Sequence, residues 1–537
     1  MIFIGVLAFL ICLPILGIAA AWLQLDAAVL DAMRQQAQTV LPAYLITSGW
    51  LALLVTLGVI VVGAATATVI GLFEFRGRRF WAWALLLPMA MPAYVSAYAY
   101  TDMLQYGGFL QSSLRSVFPH FRVDVRSLGG AVFLFIFTLY PYAYLLARNA
   151  LQERGAHLLE AARLLGTPLP QRILRIALPL ARPALMAGAA LALMETLADY
   201  GVSAYFGLST FTTAIYKAWM VMDDRIAAAQ YASLLLLFVT LLLWLERRAQ
   251  QRMRFATVRG HRSAASLPRL RGMPALLAML LCALPVLLGF VLPVLILLQL
   301  MWAEHGQRVA SEWAAPFDLW RYAAWAWNSL RFGVVAAVIA VGLALALGFA
   351  QRARDLPRLQ MACVRLVARV AAMGYAMPGS VVAVGILLPL AWLQAVFPGS
   401  AAGAWLTATA LGVIYAYLVR FTAVAVQSVE AGYTRIPLSF DEAARTMGTS
   451  RPAIMQKLHM PLLWRSLATA GLLVFVDVVK ELPATLLLRP FNTDTLAVIA
   501  HNLARDERLG EAALPALSIV LVGLIPVLLV TRALNNK

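Results

Sequence analysis

The sequence predicts an all-α polytopic membrane protein of about 12 transmembrane helices, arranged as two parallel six-helix repeats. Three observations carry this expectation. The chain of 537 residues is 62% hydrophobic and only 13% charged, with a mean hydropathy of +0.80, more apolar surface than one soluble core needs. Its apolar residues fall into separate runs of about 20, the length that crosses a bilayer. And one polar motif occurs twice, as Glu160-Ala-Ala-Arg-Leu-Leu-Gly166 with Ile176-Ala-Leu-Pro179, then as Glu442-Ala-Ala-Arg-Thr-Met-Gly448 with Leu458-His-Met-Pro461, every matched position being 282 residues apart.

The runs lie at roughly 2–22, 47–73, 80–104, 128–148, 180–206 and 230–246, then at 273–301, 328–350, 370–396, 404–425, 464–488 and 513–532. The first is apolar from Met1 and lacks the basic leader of a secretory signal, so it reads as a retained span. The third contains Ala90-Met-Pro-Ala-Tyr-Val95, echoed in the ninth by Ala376-Met-Pro-Gly-Ser-Val381 at an offset of 286. Pro92, Pro141, Pro378 and Pro389 are read as kinks, with the ninth run open to a break.

Loop charge sets the orientation. Arg76, Arg78 and Arg79 follow the second run, Arg154, Arg163, Arg172 and Arg175 follow the fourth, and eight arginines with no acid occupy 247–272. The positive-inside rule makes these loops cytoplasmic, so both termini lie inside and both motif loops face the cytoplasm. It also accounts for the formal charge of +18 without nucleic acid. The expected domains are a first six-helix unit, 1–246, with its motif loop at 149–180, a basic cytoplasmic linker, 247–272, and a second unit, 273–537, with its loop at 428–463. Cys12, Cys282 and Cys363 have no paired spacing and the six histidines are scattered, so neither a disulfide framework nor a metal site is expected.

In the second motif, Ser439-Phe-Asp-Glu442 has the form of a capping box and Gly448 stands where a helix end wants positive φ. A second short helix should start at Ser450 and end before Pro461. The first motif has His157 in place of Ser439 and so lacks the cap. A glycine-broken pair of short helices suits docking into a groove on a cytoplasmic partner.

Acids follow each loop inside an apolar run: Glu195 and Asp199 in the fifth, Asp477 and Glu481 in the eleventh, again 282 apart. Their i, i+4 spacing gives each pair one helix face. Such acids are costly toward lipid, so they should face the bundle interior. They serve either as an acidic lining for a cationic substrate or as a structural polar cluster with Lys480 as a counter-ion; Tyr200, Tyr205 and Tyr216 could add oxygen ligands.

The doubled motif resembles the signature of importer permeases of ATP-binding-cassette (ABC) transporters, which implies a type I importer fold. By that resemblance Glu160, Ala161 and Gly166, with Glu442, Ala443 and Gly448, form two coupling helices received by a cytoplasmic ABC ATPase, two copies being expected. The chain's four lysines, Lys217, Lys457, Lys480 and Lys537, do not follow glycine, so it has no Walker loop of its own and no enzymatic role is expected; ATP is used by the partner. Met194-Glu-Thr-Leu-Ala-Asp-Tyr-Gly201, Tyr205-Phe-Gly207, Phe211-Thr-Thr-Ala-Ile-Tyr216 and the stretch from Val479 to Asn492 look like the fused permeases of ferric iron importers. That resemblance implies an inner-membrane iron importer fed by a periplasmic iron-binding protein, with no cofactor bound by the permease itself. Excess carboxylates suit a hard trivalent cation. Thiamine and polyamine permeases are the alternatives within the family, and an ion-gradient-driven secondary transporter the alternative outside it.

Overall fold

A computed structural model describes residues 2–23, 27–251, 268–310, 318–352, 357–397 and 409–535. Among the described residues ten helices are long and apolar enough to cross a membrane, among them Leu41–Leu72, Leu169–Ala198, Leu319–Arg352 and Arg451–Lys480; the pair Arg78–Ala90 and Ala93–Val117, bent by 91°, passes the same test when taken together, as a broken span or a re-entrant loop. The first apolar run forms the helix Ile2–Ala21. Among the described residues, β-structure is confined to one bridge between Glu74 and Arg269. Residues 252–267 of the expected linker and 404–408 of the expected tenth span lie outside the described residues.

Proline decides where the spans break. In the third run a 3-10 turn, Leu87–Ala90, leads to extended Met91, and Pro92 starts Ala93–Leu104 after a bend of 91°. The ninth run repeats this with the turn Gly374–Ala376, extended Met377 and Pro378 ahead of Gly379–Val396. A residue before proline is pushed out of the α region, so Pro92 and Pro378 end helices instead of kinking them. Pro141 and Pro389 stay inside Leu128–Leu164 and Gly379–Val396. Elsewhere proline widens the helix: the π turns Ile173–Ala177, Leu287–Val291 and Met455–His459 each end two residues before a proline, Pro179, Pro293 or Pro461. Proline cannot donate to the carbonyl four residues back and its ring crowds that carbonyl; an i to i−5 turn just ahead accommodates both.

The chain forms two compact units, one from Met1–Gln35, Ala214–Leu236 and Pro316–Ile499, the other from Gln36–Thr213, Leu237–Ala315 and Ala500–Lys537. Each is centred on the same three helices of its repeat. In one they are Leu319–Arg352, Leu411–Tyr433 and Met460–Lys480; in the other, Leu41–Leu72, Leu128–Leu164 and Leu178–Ala198. Small residues let these helices approach, as where Gly63 and Gly188 both meet Ala143.

The opening helix of each repeat joins the unit built on the other. Ile2–Ala21 lies along Gly379–Val396, with Gly17 against the Gly385 carbonyl and Gly385 against Pro14, where any side chain would collide. Likewise Gly289 of the seventh run meets the Phe137 carbonyl, and the Tyr100 hydroxyl donates to the Leu288 carbonyl at 2.6 Å.

Candidate functional site

The two motif loops are built alike down to single hydrogen bonds. The helix Leu128–Leu164 closes on Gly166 at φ 73°, where Gly166 N–H donates to the Arg163 carbonyl (3.0 Å) and Thr167 N–H to that of Ala162 (3.0 Å). The helix Leu438–Thr446 closes on Gly448 at φ 75°, where Gly448 N–H donates to Arg445 (2.9 Å) and Thr449 N–H to Ala444 (3.1 Å). This is a Schellman closure, which needs a left-handed residue that glycine supplies without Cβ strain. The following elements keep the 282 offset at every boundary: Leu169–Arg172, Ile173–Ala177 and Leu178–Ala198 match Arg451–Ile454, Met455–His459 and Met460–Lys480. The short helix after each glycine is therefore the first turn of the next span, joined to it through the π turn, and not a separate element.

Exposure also repeats. Ala161 and Ala443 face solvent, while Ala162 and Ala444 are buried. Glu442 is exposed; the side chains of Glu160 and His157 lie outside the described residues. Leu164 and Leu165 are each 84% exposed, and Met447, the counterpart of Leu165, is 77% exposed. Apolar side chains held out on a polar loop are surface that a partner would cover.

The expected capping box does not form. Ser439 is already inside the helix, whose N-cap is Pro437, and no side chain caps it. Ser450 does hold the N-cap place of Arg451–Ile454 but makes no side-chain cap bond. Proline, not serine, sets this helix start, and it has a larger consequence. In the first repeat Gly155 stands where the second has Pro437, and Leu128–Leu164 runs through unbroken; in the second, Leu411–Tyr433 stops and a new helix begins at Leu438.

The break ends the i to i−4 ladder, and the Tyr433 and Pro437 carbonyls accept from N–H groups three residues on, those of Ile436 (3.0 Å) and Phe440 (3.2 Å). Arg352, the last residue of Leu319–Arg352, donates to the carbonyls of Tyr433 (3.3 Å), Ile436 (3.1 Å) and Pro437 (3.3 Å). The same guanidinium donates through Nε to Asp441 Oδ2 at 2.8 Å, and His459 Nε2 donates to Asp441 Oδ1 at 2.5 Å. Asp441 is 7% exposed and His459 fully buried. Burial alone would raise the Asp441 carboxyl, but the hydrogen bonds from His459 and Arg352 outweigh it and hold it below its ordinary value. The first repeat has Leu159 and Ala177 at the positions of Asp441 and His459. Sequence reasoning passed over all three residues; the signal was a basic residue, an acid and a histidine in one repeat facing apolar residues in the other.

The intramembrane acids are placed differently from their i, i+4 reading. The fifth span ends at Ala198 and the eleventh at Lys480, so Asp199 and Glu481 are extended residues just past the helix ends and share no helix face with Glu195 and Asp477. Each caps the next short helix: Asp199 Oδ1 accepts from the N–H of Val202 (2.8 Å) and Ser203 (3.4 Å), and Glu481 Oε1 from that of Ala484 (3.1 Å). Glu481, 6% exposed, also pairs with Arg420 of Leu411–Tyr433, a counter-ion 61 residues away that sequence spacing could not reveal. Gly379 leaves room for this pair, since a Cβ there would strike Glu481 Oε1. Glu195 and Asp477 are half-buried within their helices. The tyrosines have structural partners: Tyr216 donates to the Pro483 carbonyl, Tyr205 stacks edge-on to Tyr98 at 4.9 Å, and Tyr200 lies 5.7 Å from the His501 ring. One cavity of about 280 Å³ is lined by Asp102, Glu304, Glu507 and Arg126, the last 3.6 Å from Glu507.

This doubled architecture has a match. Residues 60–255 and again 364–537 fit the family described as binding-protein-dependent transport system inner membrane component. The chain belongs to that family. It is thus a multi-pass inner-membrane permease of an ABC importer, a non-catalytic component, which removes the gradient-driven alternative. The permease is 24% identical to the Fe(3+)-transport system permease protein FbpB 2 of Haemophilus influenzae over 485 residues, 89% of this chain and 87% of that protein. It is 22% identical to the probable ABC transporter permease protein y4fN of Sinorhizobium fredii over 573 residues, 99% and 95% of the two chains. The sulfate transport system permease protein CysT of Salmonella typhimurium is 28% identical over 197 residues, 36% of this chain and 70% of that one.

Proposed function

We propose that this permease imports ferric iron, receiving it from a periplasmic iron-binding protein and drawing power from a separate ATPase that docks on both motif loops. The observation that carries the docking is the pair of Schellman-closed loops, identical in backbone bonding, that hold Leu164, Leu165 and Met447 out to solvent. Glu160, Ala161, Gly166, Glu442, Ala443 and Gly448 are the coupling residues in this reading. Two matched loops on one chain call for two ATPase copies, with loops and both termini in the cytoplasm. ATP and its cofactor chemistry stay with the ATPase.

Iron is favoured by the breadth of the likeness to the Fe(3+) permease, which runs across both repeats, against about a third of the chain for the sulfate relative. It is favoured also by chemistry, since half-buried Glu195 and Asp477 offer the oxygen donors that a hard cation prefers. In this reading Glu195 and Asp199 serve the substrate path in one unit and Asp477 in the other, while Glu481, tied to Arg420, mainly holds its unit together. The deciding test reconstitutes the permease with its ATPase in liposomes and compares ATP hydrolysis with binding protein loaded with Fe³⁺, thiamine or a polyamine. Stimulation by the iron form alone is expected; an equal or larger response to another cargo would remove iron as the substrate.

A further inference from the structure

Resting on the reading of the motif loops as docking sites, we propose that Arg352, Asp441 and His459 are positioning residues that clamp the second loop to the membrane helices, so that force from the ATPase passes through it without slack. The geometry has one origin. Pro437 cuts the helix that the first repeat keeps whole, and a cut helix would leave Leu438–Thr446 joined to its span only by the four residues from Thr434 to Pro437. Arg352 closes the cut, capping the carbonyls of Tyr433, Ile436 and Pro437 from the end of a third helix. Asp441 lies on the loop helix beside the exposed Glu442 but points inward, and joins that guanidinium to His459 in the π turn of the next span.

Two spans and the loop helix therefore meet on one carboxylate. Tyr433 completes the cage: its hydroxyl lies 3.3 Å from His459 Nδ1, and the Arg352 guanidinium stacks 5.2 Å from its ring centre. Only a planar, forked cation can bind a carboxylate and several carbonyls at once, so lysine is a poor substitute. In the first repeat the unbroken helix does the same work by its own stiffness, which is why Leu159 and Ala177 suffice there. The two loops thus transmit by different means.

The test uses the full permease reconstituted with its ATPase and iron-loaded binding protein. Asp441→Asn keeps the size of the side chain and removes the charge; Arg352→Lys keeps the charge and removes the fork. Both are expected to retain the ATPase on co-purification, to lower stimulated hydrolysis at least about fivefold, to lower iron moved per ATP, and to speed hydrogen exchange across 438–449. Wild-type stimulation in both variants, or unchanged exchange across 438–449, overturns the clamp. Should Asp441→Asn not fold, Arg352→Lys decides by the same readings. Failure of the docking reading itself looks different: an ATPase that binds undiminished to a chain carrying Glu160→Lys and Glu442→Lys is not held by these loops.

Discussion

At the scale of single residues, equivalent positions in the two repeats have been put to unequal use. Asp199 and Glu481 both cap the helix that follows, and Glu481 also has the buried guanidinium of Arg420 beside it. Removing one partner of a buried pair leaves the other uncompensated, and the loss is large compared with what the pair contributes when intact. Glu481→Gln should therefore destabilise its unit by about 3–5 kcal/mol, read as a fall in the thermal midpoint in detergent, whereas Glu195→Gln, in the proposed substrate path, should lower uptake into reconstituted liposomes. A Glu481→Gln permease as stable as the parent would show that Arg420 has another counter-charge. The spacing argument had grouped these four acids as one class. What separated them was the end of a helix one residue before Asp199 and Glu481, and an arginine from another span.

At the scale of elements, the clamp has a defined pH window. The Asp441 carboxyl is held below its ordinary value, so its contribution is present above about pH 4 and is lost as pH falls through the lowered folded value. Hydrogen exchange across 438–449 should stay flat from neutral pH to about pH 5 and rise only in stronger acid, after correction for intrinsic rates; a rise already between neutral pH and about pH 5 would show that the Asp441 charge does not hold the loop. How far these elements were legible depends on the residue in question. Gly166 and Gly448 announced their helix ends because few other residues tolerate that backbone, and the Met-Pro pairs at 91–92 and 377–378 marked related sites in both repeats. The capping box at Ser439 misled because a local four-residue pattern was read without the Pro437 two residues earlier, and proline fixes a helix start more firmly than serine does. Arg352 could not be found at all from spacing, since it reaches the loop from a helix that ends 89 residues before Asp441.

At the scale of the whole molecule, one chain carries both motif loops, so on the proposed docking reading the complex should hold two ATPase copies per permease. Native mass spectrometry of the detergent-purified complex checks this, with one copy expected to weaken first in Glu442→Lys and a single bound copy in the parent arguing against two equivalent docks. The duplication itself was plain in the sequence from one constant offset; the partition into compact units was not, because nothing in an apolar run says which other run it will touch. That partition bears on how the protein is made. The helix Ile2–Ala21 finds its neighbour in Gly379–Val396, so it emerges from the ribosome roughly 360 residues ahead of it and waits some 20 to 70 s at ordinary synthesis rates. Through that interval the notch at Gly17 lacks the Gly385 and Pro389 atoms that fill it in the finished fold.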